Sequence, residues 1–417
     1  MSKKKSCIVV LIIFSNFMCA IAQYHDLNWL LGYSSRSRNT NPIHLKFNKD
    51  GLSKISQFPS NAPKINTYSC MMSDSSGNVL FYTNGLHIYN MNHEIMDGGD
   101  TINPGYWWMH CDTTWNAYFS RYQAQAIPYP GKPDNYIMFH PAMIKNTLNL
   151  GPLYYTVIDM SHGLNAGSVH SKNNILLRDG MEYFGLVKHA NGRDYWLIVP
   201  VKATNHFKKY LIDRRGIKNK GIDSTGPIFD NLSSITGVNR VSPNGEYLVV
   251  SHPINGIRIY EFDRCSGAIT FLDAIQYTNW SRQVNYDLGI SISPDSKILY
   301  SHDGFVLHQY DLTAQSIEDT RLTIARFDRY QDNYFTIFSW CKLAVDGKIY
   351  MASGSNNAVL HVIERPNLRG LACNFRQHSI SLPEQNFNTI PVFPNYRLGP
   401  VKGSPCDSLN VTNSNDR

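Results

Sequence analysis

A repeated pattern constrains the fold of this 417-residue chain more than any other feature. Each copy has a polar turn, usually with glycine, followed by two short runs rich in valine, isoleucine, tyrosine and phenylalanine. The copies, of which the last is looser, are SDSSGNVLFYTNGLHIYN (73–90), HANGRDYWLIVPV (189–201), SPNGEYLVVSHPINGIRIYEFD (242–263), SPDSKILYSHDGFVLHQYDL (293–312), AVDGKIYMASGSNNAVLHVIE (344–364) and PGKPDNYIMFHPAM (130–143). They recur roughly every 50–58 residues, a period that fits one four-stranded sheet per repeat and not a helical solenoid.

One repeat shows how the strands are divided. Residues 235–242, 246–252, 257–263 and 268–275 are short β-rich runs, separated by turns such as Asn244-Gly245 and Asn255-Gly256. Such turn dipeptides favour hairpins because they accept positive φ at little cost. The sequence therefore predicts an all-β protein, a β-propeller of four-stranded blades.

The number of repeats favours seven blades, although six or eight also fit. Six copies are preceded by a further pair of predicted strands at 28–33 and 43–48. We expect these N-terminal strands to complete the blade that the C-terminal ones begin, because this closes the ring and removes exposed sheet edges.

The N-terminus predicts export. Lys3-Lys4-Lys5, the apolar run 7–14 and Ala20-Ile21-Ala22 form a signal peptide over residues 1–22. The propeller then spans 23–409, and 410–417 is a polar tail. We expect a secreted, cell-surface or periplasmic protein with no membrane span. Loss of the three lysines lowers the formal net charge from +7 to +4, without a dense basic run, which argues against nucleic-acid binding.

The cysteines favour disulfides. The mature chain keeps six of them, an even number that is typical of exported proteins with disulfides, but the sequence leaves 15 connectivities open: Cys70, Cys111, Cys265, Cys341, Cys373 and Cys406. No CxxC or HExxH motif occurs, so we predict neither a metal nor a cofactor.

Several segments resemble a known family: SDSSGNVLFYTNGLHIYNMNHEIM, VKHANGRDYWLIV, VSPNGEYLVV, FDRCSGAITF and FPNYRLGPVKGSPCDSL. They resemble secreted β-propeller proteins of Bacteroidetes, which are distantly similar to WD-repeat and YVTN-type propellers. The resemblance covers about residues 29–409 and implies no catalytic residue. Many such proteins continue into a sorting domain for type IX secretion. This sequence has only the polar tail at that point, so type IX export and Sec export to the periplasm are both compatible with it.

The segment GYWWMHCDTTWNAY (105–118) holds three of the seven tryptophans. It shows neither strand alternation nor a helical apolar stripe, so we predict a loop inserted between two blades. One interpretation is a covering loop packed on the blades and fixed by a Cys111 disulfide. Another is an exposed platform for sugar rings or a protein partner. A metal site from His110, Cys111 and Asp112 is disfavoured, because adjacent side chains do not converge on one ion.

The aromatic side chains of this segment are the candidate ligand-binding residues: Tyr106, Trp107, Trp108, Trp115 and Tyr118. No nucleophile elbow or phosphate-binding loop accompanies them. We therefore expect a monomeric, non-catalytic binding module whose ligand is a glycan or a protein. The alternative is a hydrolase or lyase acting on glycans, with carboxylates from separate blades meeting in the central channel.

Overall fold

The computed structural model describes residues 23–407 except 36–37, 121, 148, 162–165, 179, 230–237, 253–254 and 277–288. The predicted signal peptide (1–22) and polar tail (410–417) lie outside the described residues.

Seven antiparallel sheets follow one another along the chain and form a ring. In most blades the first strand contacts the first strand of the next blade, so these inner strands surround a central channel. The prediction of an all-β, seven-bladed β-propeller is confirmed.

Blades 1 and 2 each contain three strands. Blade 1 consists of β1 Asn28–Leu31, β4 Ile43–Asn48 and β5 Gly51–Gln57. A small hairpin lies between β1 and β4 and consists of β2 Ser34–Ser35 and β3 Arg38–Asn39. Blade 2 consists of β6 Cys70–Ser73, β7 Val79–Thr83 and β8 Ile88–Tyr89. A single bridge from Tyr89 to Ile95 extends blade 2 at its outer edge. A helix, α1 Tyr106–Trp115, connects blade 2 to blade 3.

Blades 3 to 7 each contain four strands. Blade 3 consists of β9 Gln125–Pro128, β10 Asn135–Met143, β11 Leu150–Asp159 and β12 Ser168–Leu177, and blade 4 of β13 Gly185–Lys188, β14 Tyr195–Pro200, β15 His206–Asp213 and β16 Gly216–Ser224. Blade 5 consists of β17 Val238–Val241, β18 Tyr247–His252, β19 Gly256–Phe262 and β20 Ile269–Ile275, and blade 6 of β21 Ile290–Ile292, β22 Ile298–His302, β23 Val306–Asp311 and β24 Leu322–Arg326. Blade 7 consists of β25 Phe338–Leu343, β26 Ile349–Ser353, β27 Asn357–Ile363 and β28 Phe375–Asn386. Short 3-10 helices lie at Glu318–Thr320 and Gly370–Cys373.

Blade 5 follows the predicted division closely. Its four strands begin and end within three residues of the predicted runs, as far as the described residues extend. The turn glycine Gly256 has φ +72°, and a Cβ at this position would lie 2.2 Å from the carbonyl oxygen of Ile275. Glycine is required there because the backbone is left-handed and tightly packed.

The ring is closed by the C-terminal segment 389–398, which we call the closing segment. Thr389 Oγ1 donates to the Gly32 carbonyl at 3.0 Å, and the Phe393 ring packs on Trp29 with centroids 6.1 Å apart. The segment thus runs antiparallel beside β1, at the inner position of blade 1. The predicted sheet of N- and C-terminal strands is not formed within the described residues: blades 1 and 7 are separate sheets, and the closing segment forms no β-ladder with β1.

The cores lie between the faces of adjacent blades. Trp29 and Phe47 of blade 1 face Tyr350 of blade 7, with ring centroids 5.8 and 5.3 Å from the tyrosine ring. All three side chains are at most 2% exposed. Burial of such large side chains, each contributing about 2–3 kcal/mol, holds the blades together. Within the described residues no β-ladder joins two blades, and a single isolated bridge, Asp97–Ser168, crosses between them.

The prediction of disulfide bonding is confirmed for one pair of cysteines. Cys265 and Cys406 form a single disulfide in the described part of the chain, and the other four described cysteines are buried thiols. Cys111 is one of these thiols, so the disulfide expected to fix the aromatic segment is absent there. In the described residues no helix has the length and apolar character that a membrane span requires.

The disulfide ties the chain end to the β19–β20 turn, 141 residues earlier. We expect its removal in a Cys265→Ser/Cys406→Ser double variant to lower the free energy of unfolding by about 2–4 kcal/mol, because the unfolded chain is then less restricted. Urea denaturation of the variant and the native protein measures the difference. Reductant should destabilise only the native protein, and equal stability of the two chains would contradict the expectation.

Candidate functional site

A cavity of about 250 Å³ occupies the channel at the end where the inner strands turn into the second strands. Its wall combines the inner strands of blades 3 to 7 with the closing segment, and includes Gln125, Gly185, Arg240, Ser291, Lys342 and Phe393. The rim residues Pro243, Pro294 and Phe393 are partly exposed, so this central cavity reaches the surface.

Arg240 is the most unusual residue of the central cavity. It lies on β17 of blade 5, is only 8% exposed, and its Nη2 donates to the Cys341 carbonyl of blade 7 at 3.5 Å. Its Nε has no hydrogen-bond partner, and no carboxylate within the described residues pairs with it. Buried arginines are usually paired, because burying an unpaired charge is costly. Burial lowers the pKa of Arg240, which nonetheless stays charged.

Lys342 brings a second cation to the same wall from β25 of blade 7. Its Nζ donates to the Phe393 carbonyl at 2.6 Å and lies 4.2 Å from the centroid of the Phe393 ring. Burial first, and then the nearby guanidinium of Arg240, together lower the pKa of Lys342 to about 7. The amine is therefore close to half protonated at neutral pH.

The cavity holds one carboxylate among its described lining residues, that of Asp26 just before β1. Asp26 is 4% exposed and is already paired: Arg397 Nη1 binds its Oδ1, and Nη2 binds its Oδ2 at 2.7 Å. This pair neutralises itself, so Arg240 and protonated Lys342 leave the cavity with excess positive charge.

The two cations occupy the same position of the repeat. Arg240, Ser291 and Lys342 lie 51 residues apart, each two residues before the backbone N–H that opens the turn to the second strand. All three line the cavity. The equivalent positions in blades 2 to 4 are apolar: Met72, Ile127 and Val187. These residues were not predicted from the sequence, although an alignment of the repeats on their turns shows the change from apolar to polar side chains at this position.

The described lining residues do not include the carboxylate pair that the glycoside-hydrolase form of the enzyme alternative would use. Glycoside hydrolysis commonly uses two carboxylates on either side of the scissile bond. Asp26 alone is present among the described lining residues, and both its oxygens bind Arg397. No group of three histidine, cysteine, aspartate or glutamate side chains in the described chain is placed to hold a metal ion.

The aromatic segment forms a helix and not the predicted loop, although it does lie between blades 2 and 3 as expected. α1 has no side-chain cap at Gly105, and Cys111 is its one buried residue, so neither capping nor an apolar stripe identifies it in the sequence. Tertiary contacts hold it instead. Trp107 Nε1 donates to the Ile144 carbonyl at 2.9 Å and Trp108 Nε1 to the Leu86 carbonyl at 3.2 Å.

The five candidate aromatic residues do not share one surface. Tyr118 is 1% exposed, in the core, where its hydroxyl accepts from the Met143 N–H at 3.2 Å. Trp107, Trp108 and Trp115 are half-buried against the blades, and Tyr106 is 40% exposed. The Tyr106 ring stacks parallel to His110 and lies 5.4 Å from Lys145 Nζ.

α1 lies on the propeller face opposite the central cavity. It belongs to a connection from one blade to the next, whereas the cavity rim is formed by turns between first and second strands. Successive antiparallel strands place these two kinds of connection at opposite ends. The aromatic residues and the cavity are therefore separate candidate sites.

Comparison with known proteins identifies the fold. The chain resembles the structure titled "putative 6-phosphogluconolactonase" from Bacteroides uniformis, with TM-score 0.50, 10% identity, and 86% of this chain and 97% of that chain covered. It also resembles the periplasmic gluconolactonase of Pseudomonas aeruginosa, with TM-score 0.47, 10% identity, and coverage of 86% and 97%. At such identity the likeness shows the propeller fold alone. Neither a protein-family model nor a curated protein matches the chain.

The lowered pKa of Lys342 predicts how stability depends on pH. Between pH 7 and the ordinary value of 10.5, the unfolded chain keeps a proton that the folded chain has lost, so stability rises with pH. The Lys342→Met variant should lack this contribution, which has an upper limit of about 1.4 kcal/mol per pH unit. Urea unfolding at pH 7 and pH 9.5 measures it. The exposed-lysine variant Lys54→Met serves as control and should keep the native slope; an identical slope in Lys342→Met would refute the assignment.

Proposed function

We propose that this protein is a non-catalytic binding module that holds a small anionic ligand, bearing a carboxylate or phosphate, in its central cavity. The observation that carries the proposal is the buried guanidinium of Arg240, which lines the cavity without a carboxylate partner. Lys342, on the equivalent position of blade 7, provides the second positive charge. A cavity of about 250 Å³ suits a ligand of monosaccharide size and not a folded partner.

A structural role accounts less well for Arg240. Its guanidinium donates hydrogen bonds to the carbonyls of Asn239 and Cys341 at 3.2 and 3.5 Å. Two hydrogen bonds of this length offset little of the desolvation cost of a buried charge. Residues that cost stability and remain exposed to a cavity are typical of binding sites. An anionic ligand would supply the missing counter-charge and form charge-assisted hydrogen bonds with the guanidinium.

The Arg240→Met variant tests this proposal. We expect its free energy of unfolding to be unchanged or higher, because an unpaired buried charge is removed, while its affinity for anions falls at least about tenfold. Calorimetric titration with D-glucuronate, acetate and inorganic phosphate, with D-glucose as neutral comparison, measures the affinity. Lys54→Met is the matched control for loss of a cation elsewhere. If none of the anions binds native protein more tightly than glucose does, the proposal is wrong.

We further propose that the module acts outside the cytoplasm, exported by the signal peptide at residues 1–22 and related to the secreted Bacteroidetes propellers. The Cys265–Cys406 disulfide supports this location, since such bonds persist in oxidising compartments. The acidic sugars and organic acids found outside cells belong to the ligand chemistry proposed for the cavity.

The surface of α1 is a second candidate site, for a glycan or a protein. Tyr106 and Met109 are 40% and 59% exposed, beside the half-buried Trp107. An exposed aromatic ring next to a lysine offers both a stacking face and a hydrogen-bond donor, the combination that sugar ligands use.

Substitution of this surface tests the second site. Tyr106→Ala and Trp107→Ala should each reduce retention on a glycan or protein array severalfold, because each removes stacking area. Tyr334→Ala is the matched control, since Tyr334 is similarly exposed, at 46%, in a different connection. Melting temperatures show whether Trp107→Ala remains folded without its bond to Ile144. Unchanged retention by both variants would exclude this surface as the ligand site.

A further inference from the structure

Asn239, next to Arg240 on β17, carries a second unsatisfied polar group in the wall of the central cavity. The residue is 3% exposed, and its Nδ2 donates to the Tyr183 carbonyl at 3.4 Å. This bond orients the amide and leaves Oδ1 without a donor. A Cβ on Gly185, itself a lining residue, would lie 3.0 Å from that oxygen, so a larger residue at 185 would crowd the Asn239 amide.

An unsatisfied acceptor beside an unsatisfied cation restricts the ligand chemistry. A buried acceptor without a donor costs about 1–3 kcal/mol, which a ligand donor would recover. A simple carboxylate offers acceptors only and can pair with Arg240, but it has nothing to give Asn239 Oδ1. A ligand with both an anionic group and hydroxyl groups satisfies both residues at once.

The remaining wall fits the carbon skeleton of such a ligand. Leu186, Ile292 and Phe393 give the cavity apolar surface, and the Phe393 ring is partly exposed. Aromatic and aliphatic side chains pack on the C–H faces of sugar rings, while the polar groups fix their orientation.

We propose that the central cavity recognises a hydroxylated carboxylate of the uronic-acid class, with Arg240 and Lys342 binding the carboxylate and Asn239 Oδ1 accepting a hydroxyl. This inference rests on the proposed anion-binding function and specifies its ligand. The carboxylate lies between blades 5 and 7, where the two cations approach each other, and the hydroxyl lies on the blade 4 side, beside Gly185.

The ligand should bind more weakly as the pH rises. Lys342 is faced by Arg240 from β17, by Asp26 from the start of blade 1 and by Arg397 from the closing segment, and its pKa of about 7 in the free protein lies within the measurable range. A bound carboxylate favours the ammonium form, so affinity for D-glucuronate should fall severalfold between pH 6.5 and 8.5. Lys342→Met should abolish most of this dependence.

Calorimetric titration of the native protein with D-glucuronate, acetate, inorganic phosphate and D-glucose tests the inference. We expect glucuronate to bind at least about tenfold more tightly than the other three. Asn239→Ala should lose about tenfold in affinity for glucuronate and leave acetate binding unchanged. Asn205→Ala, an asparagine outside the cavity lining, is the matched control.

The outcomes separate this inference from the proposed function. If acetate or phosphate binds as tightly as glucuronate, or if Asn239→Ala keeps the native preference, the hydroxyl recognition is wrong and the anion site remains. If no anion binds, both the site and its specificity are refuted. Asn239→Ser, which keeps a small oxygen acceptor, should recover part of the preference, so a folding defect in Asn239→Ala would not leave the question open.

Discussion

One set of contacts holds the closing segment across the end of the channel and links it to several blades at once. The paired hydrogen bonds between Arg397 and Asp26 attach it to blade 1, and the Tyr396 hydroxyl donates to the Ala126 carbonyl of blade 3 at 2.6 Å. Asn395 Nδ2 reaches the Pro243 carbonyl of blade 5 at 2.9 Å. Blades in a propeller pack through side chains and not through shared ladders, so a segment that touches several of them at once fixes their spacing.

The same segment forms part of the wall of the central cavity. The Phe393 carbonyl accepts a hydrogen bond from Lys342 Nζ, which also lies over the Phe393 ring. Arg397 neutralises the charge of Asp26. Without Arg397, the Asp26 carboxylate would be free to pair with the cavity cations. The ion pair that closes the ring therefore also leaves Arg240 and Lys342 available to an external anion.

Local patterns predicted the fold well, because a propeller repeats one short unit whose turns and alternation are visible in a single copy. The HANGRDYW segment shows this: Gly192 has φ +73° in the turn and Trp196 is 2% exposed in β14, in agreement with the turn-then-strand pattern of the repeat. Arg193 pairs with Asp194 at 2.7 Å beside the turn. The helix α1 was not predicted, because it is held by hydrogen bonds from the Trp107 and Trp108 indoles to Ile144 and Leu86. These are tertiary contacts, which the periodicity of a sequence does not indicate.

The site was harder to predict than the fold for a related physical reason. Arg240 and Lys342 lie in runs that look like any buried strand, and only the ring brings residues of blades 5 and 7 to one cavity. The aromatic cluster drew attention because its residues are adjacent in sequence, yet the structure places Tyr118 in the core and Tyr106 at the surface. Comparison of equivalent positions between repeats, and not of neighbours within one, is what would have identified the cations.

The ion pair between Arg397 and Asp26 joins the two ends of the described chain. Asp26 and Arg397 are 371 residues apart, so the contact forms after nearly all blades are present, at the high entropic cost of a very long loop. A chain whose blades have formed but whose last segment is unbound lacks the part of the cavity wall that the closing segment provides. Under the proposed function, a chain that lacks this contact would bind the ligand less well than the finished molecule.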